Sequence, residues 1–89
     1  MVTIIENKAK IEGKVNDIQE NARPGYCQVQ LELCKSEPIE HYPNLAKADE
    51  GSVITINATP QQLTEADIKV GNHICTNVRK VFGQQYFMD

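Results

Sequence analysis

Residues 26–34 read YCQVQLELC, and this stretch decides the fold class. Apolar side chains stand at Cys27, Val29, Leu31 and Leu33, and the residues between them are two glutamines and a glutamate. Such a strict alternation is typical of a β-strand with one buried face and one exposed face. The stretch therefore predicts a strand whose odd-numbered side chains enter the core.

The same alternation extends towards the N-terminus. In residues 8–18, one face carries Ala9, Ile11, Gly13 and Val15, and the other face is polar. This pattern predicts a second half-buried strand. A glycine inside a strand is typical of a bend or β-bulge, so we expect the strand to curve at Gly13.

Towards the C-terminus, residues 52–58, 73–79 and 85–88 predict three further strands, with Ile74 and Val78 turned inward in the second of them. A short helix is predicted before residue 73. Thr59 suits its N-cap, and Gln62 completes a capping box with it. We expect this helix to run from residue 60 to about residue 67, with its apolar residues turned inward: Leu63, Ala66 and Ile68.

The order of elements is strand, strand, strand, short helix, strand, strand. It resembles the OB-fold, a five-stranded Greek-key barrel in which a helix plugs one end. Residues 67–74, DIKVGNHI, are similar to the helix-to-strand connection of many small barrels. We therefore expect one all-β, OB-like domain spanning residues 1–89. The alternative is an SH3-like barrel, which would not need the capped segment at Thr59.

Composition narrows the function. The chain has 89 residues and a net charge of −3, which weighs against a generally basic binder of nucleic acid or membranes. No apolar run approaches the ~20 residues of a membrane helix, so no membrane partner is expected. The first apolar stretch ends at Glu6, too early for a secretory signal, and a cytoplasmic location is expected.

Catalytic and cofactor motifs are lacking in the sequence. No phosphate-binding glycine loop occurs, and neither serine lies in a nucleophile-elbow setting. We expect a non-enzymatic protein without a cofactor. A metal site built from Cys34, Cys75 and His73 is an alternative, but zinc-type ligand spacing is missing. The sequence therefore favours no metal, with Cys27, Cys34 and Cys75 as free thiols.

The OB-like resemblance implies a binding surface on strands two and three and on the loops between strands one and two and strands four and five. Single-stranded nucleic acid needs aromatic platforms beside positive charge. Tyr26 and one of Tyr86 and Phe87 are candidate platforms, and Thr55 and Asn57 of strand three are possible additions. The candidate nucleic-acid-binding residues are Arg23, Tyr26, Gln28, Gln30, Arg79 and Lys80.

Two further surfaces are candidates. One face of strand one carries Lys8, Lys10 and Lys14, which, beside strand four, form a possible basic stripe for nucleic acid or another anion. The loop at residues 35–51 carries Ile39, Tyr42 and Leu45, which are apolar enough to anchor a protein partner. The leading hypothesis is a small module that binds single-stranded nucleic acid. The alternative is a protein-interaction or assembly subunit that uses this loop or an exposed strand edge.

Overall fold

The structure is a computed structural model that describes residues 7–82 and 85–88. These residues form five strands, a short helix and one 3-10 turn. The strands are β1 (Ala9–Arg23), β2 (Tyr26–Pro38), β3 (Val53–Ala58), β4 (His73–Phe82) and β5 (Gln85–Met88). The helix is α1 (Pro60–Glu65), and the 3-10 turn is Lys47–Asp49.

The strands close into a barrel in the order β1-β2-β3-β5-β4. Neighbouring strands are antiparallel except for β3 and β5, which run parallel. The expected five-stranded barrel with one short helix between β3 and β4 is confirmed. The strand order is compatible with an OB-like barrel, and the capped helix expected after β3 is present.

The core contains the side chains that the alternation turned inward. Leu31, at the centre of β2, has no exposed surface, and its inward neighbours along the strand are equally enclosed. Ile54, Ile56 and Tyr86 complete the cluster from β3 and β5. Apolar burial of this kind contributes about 25 cal/mol per Å² removed from water and is the main stabilising contribution to so small a barrel.

Gly13 lies at a shift in register between β1 and β2, as predicted. A Cβ atom at this position would overlap the backbone oxygen of Glu32, so only glycine allows the two strands to approach this closely. The long first strand bends here. It pairs with β2 along its length and with β4 from Ala9 to Lys14.

Helix α1 has the predicted N-terminus. The Thr59 hydroxyl accepts from the backbone N–H of Gln62, and the Gln62 side chain accepts from the backbone N–H of Thr59. The predicted end is wrong: the helix stops at Glu65, and Asp67 has a left-handed φ of 53°. Ala66 is consequently exposed, contrary to prediction, whereas Ile68 is buried and Leu63 is partly buried.

The segment between β2 and β3 contacts the barrel through its 3-10 turn. Its 3-10 turn places Asp49 inside, where the carboxylate accepts from the Tyr86 hydroxyl at 2.5 Å and pairs with the Lys80 ammonium at 2.9 Å. Glu50 accepts from both the backbone N–H and the hydroxyl of Ser36, which lowers the pKa of Glu50. Buried polar groups with partners in this way fix the segment to the barrel.

Candidate nucleic-acid interface on the barrel face

One outer face of the barrel combines amide and aromatic side chains. It is formed by β2, β3 and β5 and by the adjoining end of β4, and we call it the amide–aromatic face. Its residues are Tyr26, Gln28, Gln30, Thr55, Asn57, Arg79, Gln85 and Phe87. Strand register orders them in two rows across the sheet, one being Gln28–Asn57–Phe87–Arg79 and the other Gln30–Thr55–Gln85.

Asn57 lies at the centre of this face and is only 1% exposed. Its amide nitrogen donates to the Tyr86 backbone oxygen at 3.0 Å and lies 3.5 Å from the Gln85 side-chain oxygen. Its own side-chain oxygen accepts from Gln28 at 3.3 Å. These bonds orient the two flanking glutamines, so the face presents amide groups in fixed positions.

The aromatic part of the face lies beside the amides. The rings of Tyr26 and Phe87 meet edge to face, with centroids 5.6 Å apart. The Arg79 guanidinium lies over the Phe87 ring at 5.9 Å from its centroid, within cation–π range. Both aromatic residues are partly exposed. The arrangement gives two aromatic surfaces and a cation at one edge of the barrel.

Among the six predicted nucleic-acid-binding residues, the structure brings four together: Tyr26, Gln28, Gln30 and Arg79. Lys80 is not brought to this face. It follows Arg79 on the same strand, so its side chain points to the other side, where it pairs with Asp49. The side chain of Arg23 and residues 83–84 of the β4–β5 turn lie outside the described part of the chain.

Sequence reasoning placed Thr55 and Asn57 as possible additions, and both lie on the amide–aromatic face. It left open whether Tyr86 or Phe87 would be a platform. Tyr86 is buried in the core, and burial together with its hydrogen bond to Asp49 raises the pKa of its hydroxyl. Phe87, the next residue of β5, faces outward. Neighbouring residues of a strand face opposite sides, so the burial of Tyr86 implies that Phe87 is the exposed aromatic residue.

The predicted basic stripe carries acidic as well as basic side chains. Register places Glu12 between Lys10 and Lys14 on β1, and on β2 Glu37 and Glu32 lie opposite these two lysines. We call this region the charged face; its residues are Lys10, Glu12, Lys14, Glu32, Lys35, Glu37 and His73.

Side-chain contacts join neighbouring residues of the charged face. The His73 ring of β4 lies 3.1 Å from the Glu12 carboxylate of β1, and the Lys35 ammonium pairs with Glu37 of the same strand at 3.0 Å. The hydrogen bond from Lys35 lowers the pKa of Glu37. Lys8 lies apart from the stripe, over the ring of Tyr42 at 5.4 Å from its centroid. Carboxylates and cations alternate here, so an approaching anion meets both signs of charge.

The predicted docking residues Ile39, Tyr42 and Leu45 are all partly buried in the segment between β2 and β3. The Tyr42 ring stacks on His41 with centroids 4.7 Å apart. The backbone oxygen of Leu45 lies 3.5 Å from the Lys80 ammonium. The segment is therefore anchored to the barrel through several of its own residues, and Ile39 and Tyr42 keep some exposed surface.

The three thiols are free, with Cys27 buried and Cys34 and Cys75 exposed. The expectation that they behave as small apolar residues therefore fits Cys27 by burial, but the other two lie at the surface. Within residues 7–82 and 85–88, no three His, Cys, Asp or Glu side chains are grouped as a metal site would need.

No protein-family model, curated protein or solved structure matches the chain. The class of the protein therefore rests on its own architecture: a closed five-stranded barrel with a short capped helix. Among the described residues, no helix is long and apolar enough to cross a membrane.

Proposed function

We propose that the protein binds single-stranded nucleic acid through the amide–aromatic face, without strong sequence preference. The observation that carries the proposal is the contact series from Tyr26 to Phe87 to Arg79. Single-strand binding combines aromatic platforms for the bases with cations for the backbone. This series supplies both within one cluster, and Tyr26 lies on strand two, which is part of the face where OB-like barrels bind their ligands.

The amide groups support the same proposal. Gln28 and Gln30 follow Tyr26 on the outer side of β2, and both are partly exposed. Side-chain amides offer donors and acceptors, which suit the Watson–Crick edges of splayed bases. The bonds that orient Gln28 through Asn57 reduce the entropy that its side chain loses when a base binds.

The charge of the amide–aromatic face determines how strongly nucleic acid is expected to bind and how the affinity depends on salt. Arg79 is the single charged residue of the amide–aromatic face as defined, so few phosphates are neutralised. With one or two phosphate contacts, the logarithm of affinity falls with the logarithm of salt concentration with a slope of about −0.7 to −1.4. Binding is expected to be weak and only mildly salt-dependent, with stacking as the larger contribution.

The test is fluorescence anisotropy with labelled mixed-sequence DNA and RNA 12-mers. Tyr26→Ala and Phe87→Ala each remove a platform worth about 1–3 kcal/mol, so affinity should fall roughly 5- to 150-fold. Tyr42→Ala is the matched control, because Tyr42 is also a partly buried tyrosine but lies on another surface. Equal loss in all three variants, or no binding by the natural protein, would overturn the proposal.

A second candidate function has its own observation. The segment carrying Ile39 and Tyr42 is fixed by Asp49, Glu50 and Ser36, so it presents its apolar residues without a large ordering cost. We propose protein docking there as the alternative. A partner that binds independently of salt and is lost with Ile39→Ala and Tyr42→Ala, but not with Tyr26→Ala, would favour this alternative over nucleic acid.

A further inference from the structure

Along residues 16–20, one edge of strand β1 has no partner strand in the described part of the chain. Its ladder with β4 ends at Lys14, and the backbone of Val15 still bonds with Asn72 and Gly71. In the described part of the chain, Asp17, Ile18 and Gln19 pair with β2, and residues 16–20 pair with no other strand. Within residues 7–82 and 85–88, no strand lies beside the other edge of these residues, and an open edge is a template for an added strand.

An open groove of about 780 Å³ lies beside this edge. Ile18 and Cys27 line it from the barrel, and Leu63, Ile68 and Val70 line it from α1 and the turn that follows. Val70 is 57% exposed, one of the two most exposed large apolar side chains in the described residues. Strand edge and apolar groove are the two parts that recognition by strand addition requires, one for the backbone and one for alternate side chains.

The surroundings of the groove carry one dominant sign of charge. Glu20, Asp67 and Lys69 line it, and two further carboxylates, Asp17 and Glu65, lie on β1 and α1. Lys69 is the one basic residue in residues 16–20 and 60–70, and it pairs with Asp67 at 3.3 Å. This distribution differs from the alternating signs of the charged face, and it favours a positively charged partner.

We propose that this edge and groove bind an extended peptide in which basic and apolar residues alternate. The peptide backbone continues the sheet along residues 16–20. Its apolar side chains enter the groove towards Leu63 and Val70, and its basic side chains meet Glu20 and Asp67. The site lies on a different surface from the amide–aromatic face and does not depend on nucleic-acid binding.

The test is an amide-resolved NMR titration with a blocked hexapeptide of alternating Lys and Val. Shifts are expected at residues 16–20 and 63–70. A Glu–Val peptide should bind at least about tenfold more weakly, because it opposes the charge of the rim. A peptide with proline in place of the central Val loses a backbone donor and should also bind more weakly.

Val70→Lys is the decisive variant, and Val53→Lys is its matched control. Both valines are exposed, but Val53 lies on β3 away from the groove. Val70→Lys should weaken peptide binding at least fivefold, and Val53→Lys should leave it unchanged. Glu20→Lys should reverse the preference between the Lys and Glu peptides. The spectrum of each variant reports whether its fold is retained.

Three results would overturn the proposal: no shifts at millimolar peptide, equal affinity for both peptides, or equal effects of the two valine variants. Sedimentation velocity of the protein alone adds a fourth. If it forms a dimer that Val70→Lys dissociates, the edge is occupied by a second copy and not by a peptide. Tyr26→Ala should not change peptide binding, so failure here and failure of the nucleic-acid proposal are distinguishable.

Discussion

The amide–aromatic face and the charged face lie on the same barrel but use polar residues differently. On the first, Asn57 is buried and connects Gln28 and Gln85, beside an aromatic pair and one cation. On the second, residues of opposite charge stand opposite each other on neighbouring strands, as Lys14 and Glu32 do, and the exposed His73 ring contacts Glu12. The first therefore has fixed geometry and little charge, and the second has much charge and little fixed geometry.

The difference shows that lysines on one strand do not define a basic surface. Lys10 and Lys14 share a face of β1, but Glu37 and Glu32 stand opposite them on β2. Exposed charges of opposite sign on neighbouring strands contribute little to stability. Recognition is expected where side chains are oriented before the ligand arrives, which favours the face around Asn57.

The largest expected effect on stability comes from the inward side of β2, whose outward side belongs to the amide–aromatic face. Leu31→Ala should lower the free energy of unfolding by about 2–5 kcal/mol, because Leu31 has no exposed surface and its removal leaves a cavity. Gln30→Ala, one residue away and facing outward, should change it by about 0.5 kcal/mol or less. Urea unfolding measures both. A loss below ~1 kcal/mol for Leu31→Ala would show that the face assignment of β2 is wrong.

A second prediction concerns the buried amide. Asn57→Ala should lower the free energy of unfolding by about 1–3 kcal/mol, because Gln28 and the Tyr86 backbone oxygen lose their partner in a buried position. Urea unfolding is again the measurement. Asn77→Ala is the matched control, because Asn77 is an exposed asparagine on β4. Equal small losses in both variants would mean that the amide network does not order the face.

Strand β5 carries Phe87 outward and Tyr86 inward, and the inward residue gives a pH dependence. Burial and the Asp49 carboxylate raise the pKa of Tyr86, so the hydroxyl ionises more readily in the unfolded chain. This contribution is complete below pH ~10 and is lost as pH rises above it, by about 1.4 kcal/mol per pH unit. Unfolding measured from pH 8 to 11 should show this decline, and Tyr86→Phe should reduce it. An unchanged slope in the variant would contradict the assignment.

The smallest effect is expected on the charged face. Glu12→Gln replaces the carboxylate that contacts His73, both side chains being about half exposed, and should change the free energy of unfolding by about 1 kcal/mol or less. The same substitution should leave oligonucleotide affinity within about twofold at physiological salt, because charges beyond ~8 Å are screened there. A large change in affinity would transfer the binding site to this face and remove the distinction between the two.

Most of the barrel was predictable because local patterns determine it. Alternation identified the buried side of β2, a single glycine located the bulge at Gly13, and Thr59 with Gln62 located the start of α1. The end of α1 was not predictable in this way. The helix ends just before Asp67, which takes a left-handed backbone conformation. No residue type in this stretch requires that conformation.

The site was predictable only in part. Alternation places Tyr26, Gln28 and Gln30 outward, and the same argument separates Arg79 from Lys80, since neighbouring strand residues face opposite sides. The amide network needed the register of β2 against β3, and the balance of the charged face needed that of β1 against β2. Register is a tertiary property. The burial of Asp49 could not be predicted from the sequence either, because its partners Lys80 and Tyr86 are distant along the chain.

The central claim is that nucleic acid binds at the amide–aromatic face, and amide-resolved NMR with a mixed-sequence single-stranded 12-mer tests it most directly. The titration is made at low and then physiological salt. The account predicts shifts centred on Tyr26, Gln28, Asn57 and Phe87 that weaken only mildly with salt. Shifts confined to Lys10, Lys14 and His73, or no shifts at either salt concentration, would contradict it.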